Sequence, residues 1–113
     1  MTGSMGVHIL VNLFGCPTNV LEHKDVVAKL LNEVVSEAKL TKVNETHFQF
    51  KPVGVTSVIL LAESHISIHT WPESGSAAVD IFCCSGKESA ETAFKSLVAK
   101  FHPTKFDKKF IQR

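Results

Sequence analysis

The chain has 113 residues, which is enough for one domain around a single core and too few for two. Its 12 Lys and Arg residues nearly balance its 11 Asp and Glu residues, so no long-range field attracts nucleic acid or an anionic membrane, and neither is an expected partner. No apolar run reaches the roughly 18 residues of a membrane span and the N-terminus lacks a signal-peptide pattern, so we expect a soluble, cytoplasmic protein.

The chain opens with a strand and then an amphipathic helix. Residues 1–4 precede a second methionine, Met5, and we expect them to be a remnant of recombinant expression. Residues 7–14 are mostly β-branched, aliphatic or aromatic and end at a Gly-Cys-Pro sequence, which indicates a strand closed by a turn. Between residues 24 and 38 apolar side chains recur every three or four positions, which predicts a helix with one buried stripe.

The middle of the chain predicts three strands. Residues 46–50 and the almost continuous apolar run 55–62 indicate a hairpin whose second strand is central in a sheet. In residues 64–71 apolar and polar side chains alternate until Pro72 stops the strand. One face of that strand carries Ile66 and Ile68, and the other carries His65, Ser67, His69 and Trp71.

The last third predicts a strand, a helix and a final strand. Residues 77–84 form the strand, and Ser85 with Glu88 has the spacing of a capping box that opens the helix. The order of elements indicates an α+β fold, a mainly antiparallel sheet with two helices packed on one face. We expect a second subunit to cover the other face, so the sequence predicts a single domain over 5–113 that forms a homodimer.

The three cysteines are better explained as reduced thiols than as a disulfide framework. Cys16, Cys83 and Cys84 are odd in number and two of them are adjacent. Neighbouring residues of a strand point to opposite faces of the sheet, so at most one of Cys83 and Cys84 belongs to a site and the other is a small core residue.

The densest cluster of reactive side chains is residues 63–73, ESHISIHTWPE, followed by 77–84, AAVDIFCC. A hydroxyl near a histidine, with a thiol on the next strand, could serve nucleophilic catalysis. A half-exposed strand shows the same alternation without any chemistry. A metal site of His65 and His69 with a cysteine is a third reading, but there is no Cys-x-x-Cys pair and both histidines lie on a strand, so we expect no metal and no loss of structure on chelation.

The stretch ESHISIHTWPE resembles the signature of the short bacterial and archaeal S-adenosylmethionine decarboxylases in both order and spacing. The resemblance extends to residues 8–11, to Phe50 with the following Pro52 and Gly54, and to residues 77–82, so it covers nearly the whole chain.

The resemblance implies that the chain cuts itself and makes its own cofactor. The bond Glu63-Ser64 would break spontaneously to leave residues 1–63 and 64–113, and Ser64 would become a pyruvoyl group. His69 is implied to remove the α-proton in this step. Thr56 stands where the family usually has an assisting serine, and its hydroxyl can still donate and accept. A regular strand would put Ser64 and His69 on opposite faces, so we expect Ser64 in a strained turn before the strand proper.

The resemblance also implies a decarboxylase that acts on S-adenosylmethionine and supplies spermidine synthesis. Cys84 corresponds to the thiol acid that protonates the substrate carbon. Phe50 and Trp71 are implied to flank the adenine, and Glu73 to accept from the ribose hydroxyls.

The sequence does not exclude other substrates, because it departs from the family pattern at a few positions. Asn12 replaces a common carboxylate, and Ser74 and Ser76 replace two tyrosines. Similar proteins include decarboxylases of ornithine or arginine, which are the main alternative, and an inactive relative that does not process itself is a further one.

Overall fold

A computed structural model describes residues 5–113, so the expected remnant at 1–4 lies outside the described residues. Six strands, two long helices and two short 3₁₀ turns make up the described chain, with four consecutive strands between the two helices. The strands are β1 (Val7–Phe14), β2 (Lys42–Gln49), β3 (Val55–Leu61), β4 (Ser64–Trp71), β5 (Ser76–Cys83) and β6 (Lys105–Gln112). The helices are α1 (Lys24–Glu37) and α2 (Lys87–Phe101), and the 3₁₀ turns are Thr18–Val20 and Pro72–Ser74.

All six strands form one antiparallel sheet in the order β2-β3-β4-β5-β1-β6. Three successive hairpins make the run from β2 to β5, while β1 lies between β5 and the C-terminal β6. The α+β class predicted from the order of elements is confirmed.

Both helices pack on one face of the sheet, as predicted. Helix α1 lies against β3 and β2, α2 lies against β5 and β1, and the two helices contact each other. The core between them consists of alternate strand residues and the apolar helix stripes, because strand side chains point to the two faces in turn. Its fully buried members include Ile9, Ile59, Ile66, Ile68, Ile81, Leu31, Leu97 and Phe101.

The opposite face of the sheet, called the open face below, is not covered within the described chain. It carries apolar side chains that are about half exposed, among them Phe48, Leu60 and Trp71 at 61%, 47% and 46%. Exposed apolar area of this kind on a monomer is typical of an interaction surface.

Two local predictions were wrong. Strand β2 begins at Lys42 instead of residue 46, because its first three residues are all exposed, including the apolar Val43, and the pairing register shifts between Lys42 and Asn44. Helix α2 is capped by the backbone of Gly86, with no side-chain cap, so Ser85 stands one position too early for a capping box. Within residues 5–113, neither helix is long and apolar enough to cross a membrane.

Candidate active site

The turn between β3 and β4 places Ser64 at the start of a strand. Leu61 pairs with Ser64, so only Ala62 and Glu63 form the loop. Glu63 has a φ of 63°, in the left-handed region that side chains with a Cβ disfavour. The unfavourable backbone conformation is therefore at Glu63. The prediction that Ser64 itself precedes the strand was wrong, because Ser64 pairs with Leu61 and is the first residue of β4.

Ser64, Glu63 and Cys84 lie together at this end of the sheet, and we call them the hydroxyl–thiol cluster. The backbone N–H of Cys84 donates to Ser64 Oγ at 2.9 Å. The Cys84 thiol faces the Glu63 carboxylate, with Sγ 3.6 Å from Oε1, and lies 3.8 Å from the carbonyl oxygen of Ala62. The hydroxyl, the thiol and the peptide bond implied to break are therefore neighbours.

The three cysteines have different surroundings, and none is in a disulfide. Cys16 and Cys83 are buried, and burial raises the pKa of the Cys16 thiol to about 11 and also raises the pKa of Cys83. Both stay protonated in the core. Cys84 is half-buried at the hydroxyl–thiol cluster, so one of the two adjacent cysteines lies in a candidate site and the other in the core, as predicted.

The remaining residues of the family resemblance meet at a cavity of about 310 Å³, which we call the aromatic cavity. Here Thr56 Oγ1 and His69 Nδ1 are hydrogen-bonded at 3.0 Å, and the His69 and Trp71 rings lie 6.4 Å apart. The lining residues are Phe50, Val53, Gly54, Thr56, His69, Thr70, Trp71 and Glu73.

Buried hydrogen bonds fix the loop that carries Phe50. The Phe50 N–H donates to the carbonyl of Gly54, whose φ of 115° favours glycine, and the Gly54 N–H donates to the carbonyl of Glu22. The buried Thr70 hydroxyl donates to the Leu21 carbonyl at 2.8 Å and accepts from the Val55 N–H at 2.9 Å. Leu21 and Glu22, just before α1, therefore hold two residues that line the aromatic cavity, Thr70 and Gly54.

The hydroxyl–thiol cluster and the aromatic cavity lie at opposite ends of β4 within one chain. Ser64 and His69 are five residues apart, which at the rise of a strand is about 16 Å. Their positions also alternate across the sheet. The structure thus brings Ser64, Glu63 and Cys84 together, and His69 with Thr56, Phe50, Trp71 and Glu73, but it does not bring His69 to Ser64.

A further cluster on the open face did not emerge from the sequence as a unit. His8, His65 and Asp80 have one ligand atom each within 4.8 Å of one another. They come from three strands, and only the register of β1, β4 and β5 shows that they meet. The alternative that paired His65 with His69 does not fit, because four residues separate them by about 13 Å along β4.

Comparison with known proteins gives a consistent result. The sequence profile described as S-adenosylmethionine decarboxylase matches residues 7–113. An S-adenosylmethionine decarboxylase proenzyme from Sulfurihydrogenibium sp. (strain YO3AOP1) is 42% identical over 113 residues, which cover 100% of this chain and 85% of that protein. A protein of the same name from Archaeoglobus fulgidus is 44% identical over 102 residues, covering 90% of this chain and 91% of its own length.

The fold comparison agrees with the sequence comparison. The crystal structure of the adenosylmethionine decarboxylase from Aquifex aeolicus VF5 superposes with a TM-score of 0.93 at 38% identity, covering 97% of this chain and 91% of that one. Both the profile and the relatives span nearly the full chain. The chain therefore belongs to the S-adenosylmethionine decarboxylase family.

Proposed function

We propose that the chain cuts its own Glu63-Ser64 bond and then decarboxylates S-adenosylmethionine, the activity that supplies spermidine synthesis. The observation that carries the proposal is the hydroxyl–thiol cluster: Ser64 Oγ is held 2.9 Å from the Cys84 N–H, directly after a left-handed Glu63.

Cleavage is a rearrangement of the chain's own atoms. Ser64 Oγ attacks the carbonyl carbon of Glu63, and the acyl group moves from nitrogen to oxygen to form an ester. A base, His69, then takes the Cα proton of residue 64, the bond between Cβ and the ester oxygen breaks, and the main-chain carboxylate of Glu63 leaves as a new C-terminus. Water replaces the nitrogen of the resulting dehydroalanine, ammonia departs, and residue 64 ends as a pyruvoyl group at the start of 64–113.

The surrounding residues fit a pyruvoyl group at position 64. The Cys84 N–H already points at the side-chain oxygen and can donate to an oxygen of that group. Once formed, the group supplies a carbonyl that binds the substrate amine and accepts the electron pair released with carbon dioxide. The Cys84 thiol, next to this position, holds the proton that the substrate carbon needs afterwards.

The aromatic cavity suits S-adenosylmethionine better than a simple basic amino acid. Phe50 and Trp71 are 48% and 46% exposed on its walls and offer aromatic faces to an adenine and to a sulfonium cation. Glu73 offers a carboxylate that can accept from two ribose hydroxyls. Ornithine and arginine have neither a base to stack nor a ribose.

A second copy of the chain would bring the two half-sites together. Processing needs a base at Ser64, yet within one chain His69 lies about 16 Å away. The apolar open face is the surface a second copy would cover, since two sheets pack face to face about 10 Å apart. In such a symmetric dimer the hydroxyl–thiol cluster of one protomer would meet the aromatic cavity of the other, and vice versa.

The first experiment is an intact-mass measurement on freshly purified protein. We expect two fragments divided between residues 63 and 64, the second carrying a pyruvoyl group that borohydride converts to lactate. The matched variant Ser64→Ala keeps a side chain of similar size without the hydroxyl and should remain one chain. A single uncut wild-type chain that is folded by circular dichroism would contradict the proposal.

A second experiment separates the substrates. Release of labelled carbon dioxide is measured in parallel from S-adenosylmethionine, ornithine and arginine, with Ser64→Ala protein as the blank. We expect release from S-adenosylmethionine alone. Preference for ornithine or arginine would retain self-cleavage and overturn the substrate, so the two failures are distinguishable.

A further inference from the structure

The open face carries a group of nitrogen and oxygen donors that the decarboxylase chemistry does not use. His8 on β1, His65 on β4 and Asp80 on β5 each place one ligand atom within 4.8 Å of the others, and all three are half-buried. His8 and His65 both stand opposite Phe82, one from each side, while Asp80 lies two residues along β5 from Phe82. The cluster is therefore built on three strands that are already paired.

The contacts within this histidine–aspartate cluster are incomplete. His8 Nε2 is buried and has no hydrogen-bond partner among the described residues, although Asp80 Oδ2 faces it at 3.9 Å. That separation is too long for a hydrogen bond. The two imidazole rings meet edge to face with centroids 6.2 Å apart. A buried ring nitrogen without a partner costs free energy, and a bound group would satisfy it.

We propose that His8, His65 and Asp80 bind one divalent transition-metal ion, with zinc as the reference ion. Two imidazole nitrogens and one carboxylate oxygen are the donor set that zinc and its first-row neighbours accept, and three protein ligands leave a position for water. Ligands at about 2.0 Å from a tetrahedral ion are about 3.3 Å apart, so the 3.9 Å gap between His8 and Asp80 closes with a small side-chain rotation.

The ion would join β1, β4 and β5 without being needed for the fold. The backbone ladders pair these strands without using the three side chains, so we expect chelation to leave the sheet intact. The proposal replaces the sequence-based expectation of no metal. It does not depend on self-cleavage, and all three ligands come from one chain, although in the proposed dimer the cluster lies on the face that the second copy covers.

The test is titration of the chelator-treated full-length chain with zinc, followed by calorimetry, and with cobalt, followed by its visible absorption. We expect one ion per chain and a cobalt spectrum without a thiolate charge-transfer band. Asp80→Asn and His8→Gln should each weaken binding by at least about tenfold. The control His102→Asn removes an exposed histidine at the end of α2 and should bind like the wild type.

Three outcomes would overturn the proposal. They are no binding at millimolar zinc, unchanged binding in Asp80→Asn, and a thiolate band that assigns the ion to a cysteine. If Asp80→Asn or His8→Gln does not fold, His65→Gln serves as a further variant. A zinc-dependent rise in melting temperature in the wild type that is absent in the variants gives an independent readout.

Discussion

The contact between Thr56 and His69 decides how the histidine is oriented. Their side chains are hydrogen-bonded at 3.0 Å through Nδ1, which leaves Nε2 for a reacting proton. Threonine supplies the same hydroxyl as the serine that the family resemblance implies at this position, so the contact is kept and a methyl group is added.

We therefore expect Thr56→Val to slow self-cleavage by about tenfold or more, since the base loses its orienting partner. Thr56→Ser should cleave at least as fast as the wild type, and His69→Ala should not cleave. The half-time is measured on denaturing gels after synthesis in vitro. Thr92→Val, an exposed change on α2, is the control, and equal half-times for Thr56→Val and the wild type would remove Thr56 from the processing step.

In the proposed reaction Cys84 would act through two different groups. Its backbone N–H contacts Ser64, whereas its thiol faces Glu63. Cys84→Ser keeps the backbone contact with Ser64 and replaces the thiol by a less acidic hydroxyl. We expect normal cleavage but at least a tenfold fall in the formation of decarboxylated product, measured by mass spectrometry. Loss of cleavage in this variant would show that the thiol acts earlier than we propose.

At the scale of elements, a polar network ties α1 to the edge of the sheet. The carboxylate of Glu45 on β2 accepts from Lys42 at 2.6 Å, from Asn32 of α1 at 2.8 Å and contacts His47 at 2.9 Å. The hydrogen bond from Lys42, followed by those from Asn32 and His47, lowers the pKa of Glu45 from 4.5 to about 2.

This lowered pKa gives a pH-dependent contribution to stability. The unfolded chain takes up a proton at Glu45 near pH 4.5, and the folded chain only near pH 2, so the contribution is present above pH 4.5 and is lost as the pH falls toward 2. Glu45→Gln should lower the urea midpoint near neutral pH, and the difference from the wild type should vanish at about pH 2. A difference that is independent of pH would contradict the assignment.

Most elements could be predicted from the sequence, because their periodicity is strong. The strand at 64–71 and the helix from residue 24 are examples, and both begin at the residue where their periodicity begins, although the prediction that Ser64 lies in the turn before the strand was wrong. The early start of β2 could not be predicted, since Lys42 and Asn44 have no apolar alternation. The cap of α2 was misassigned because the backbone of Gly86 can end a loop without a side-chain partner.

The candidate site was predictable in composition and not in arrangement. The residues came from the family resemblance, and the structure places five of them around one cavity. Their separation from Ser64 follows from the length of β4, and the meeting of His8 with His65 follows from strand register. Register depends on the turns and on the neighbouring strands, so the pattern of one strand alone does not show which residues meet across the sheet.

At the scale of the whole molecule, the dimer gives the sharpest prediction. Ser64→Ala and His69→Ala chains should each remain uncut alone. In a co-expressed mixture, mixed dimers pair an intact Ser64 from one chain with an intact His69 from the other. We expect cleavage of the His69→Ala chain only, identified by fragment mass. An uncut mixture with proven mixed dimers would place His69 and Ser64 of one chain in the same site.

The strand order has a consequence for the protein after the proposed cleavage. The piece 1–63 would hold β1, β2 and β3, and the piece 64–113 would hold β4, β5 and β6. In the sheet they interleave, since β1 of the first piece lies between β5 and β6 of the second, and β4 adjoins β3. Separating the pieces would break three strand ladders and expose the hydrophobic core to water. We therefore expect the two pieces to stay together after the backbone is cut and to separate only in denaturant.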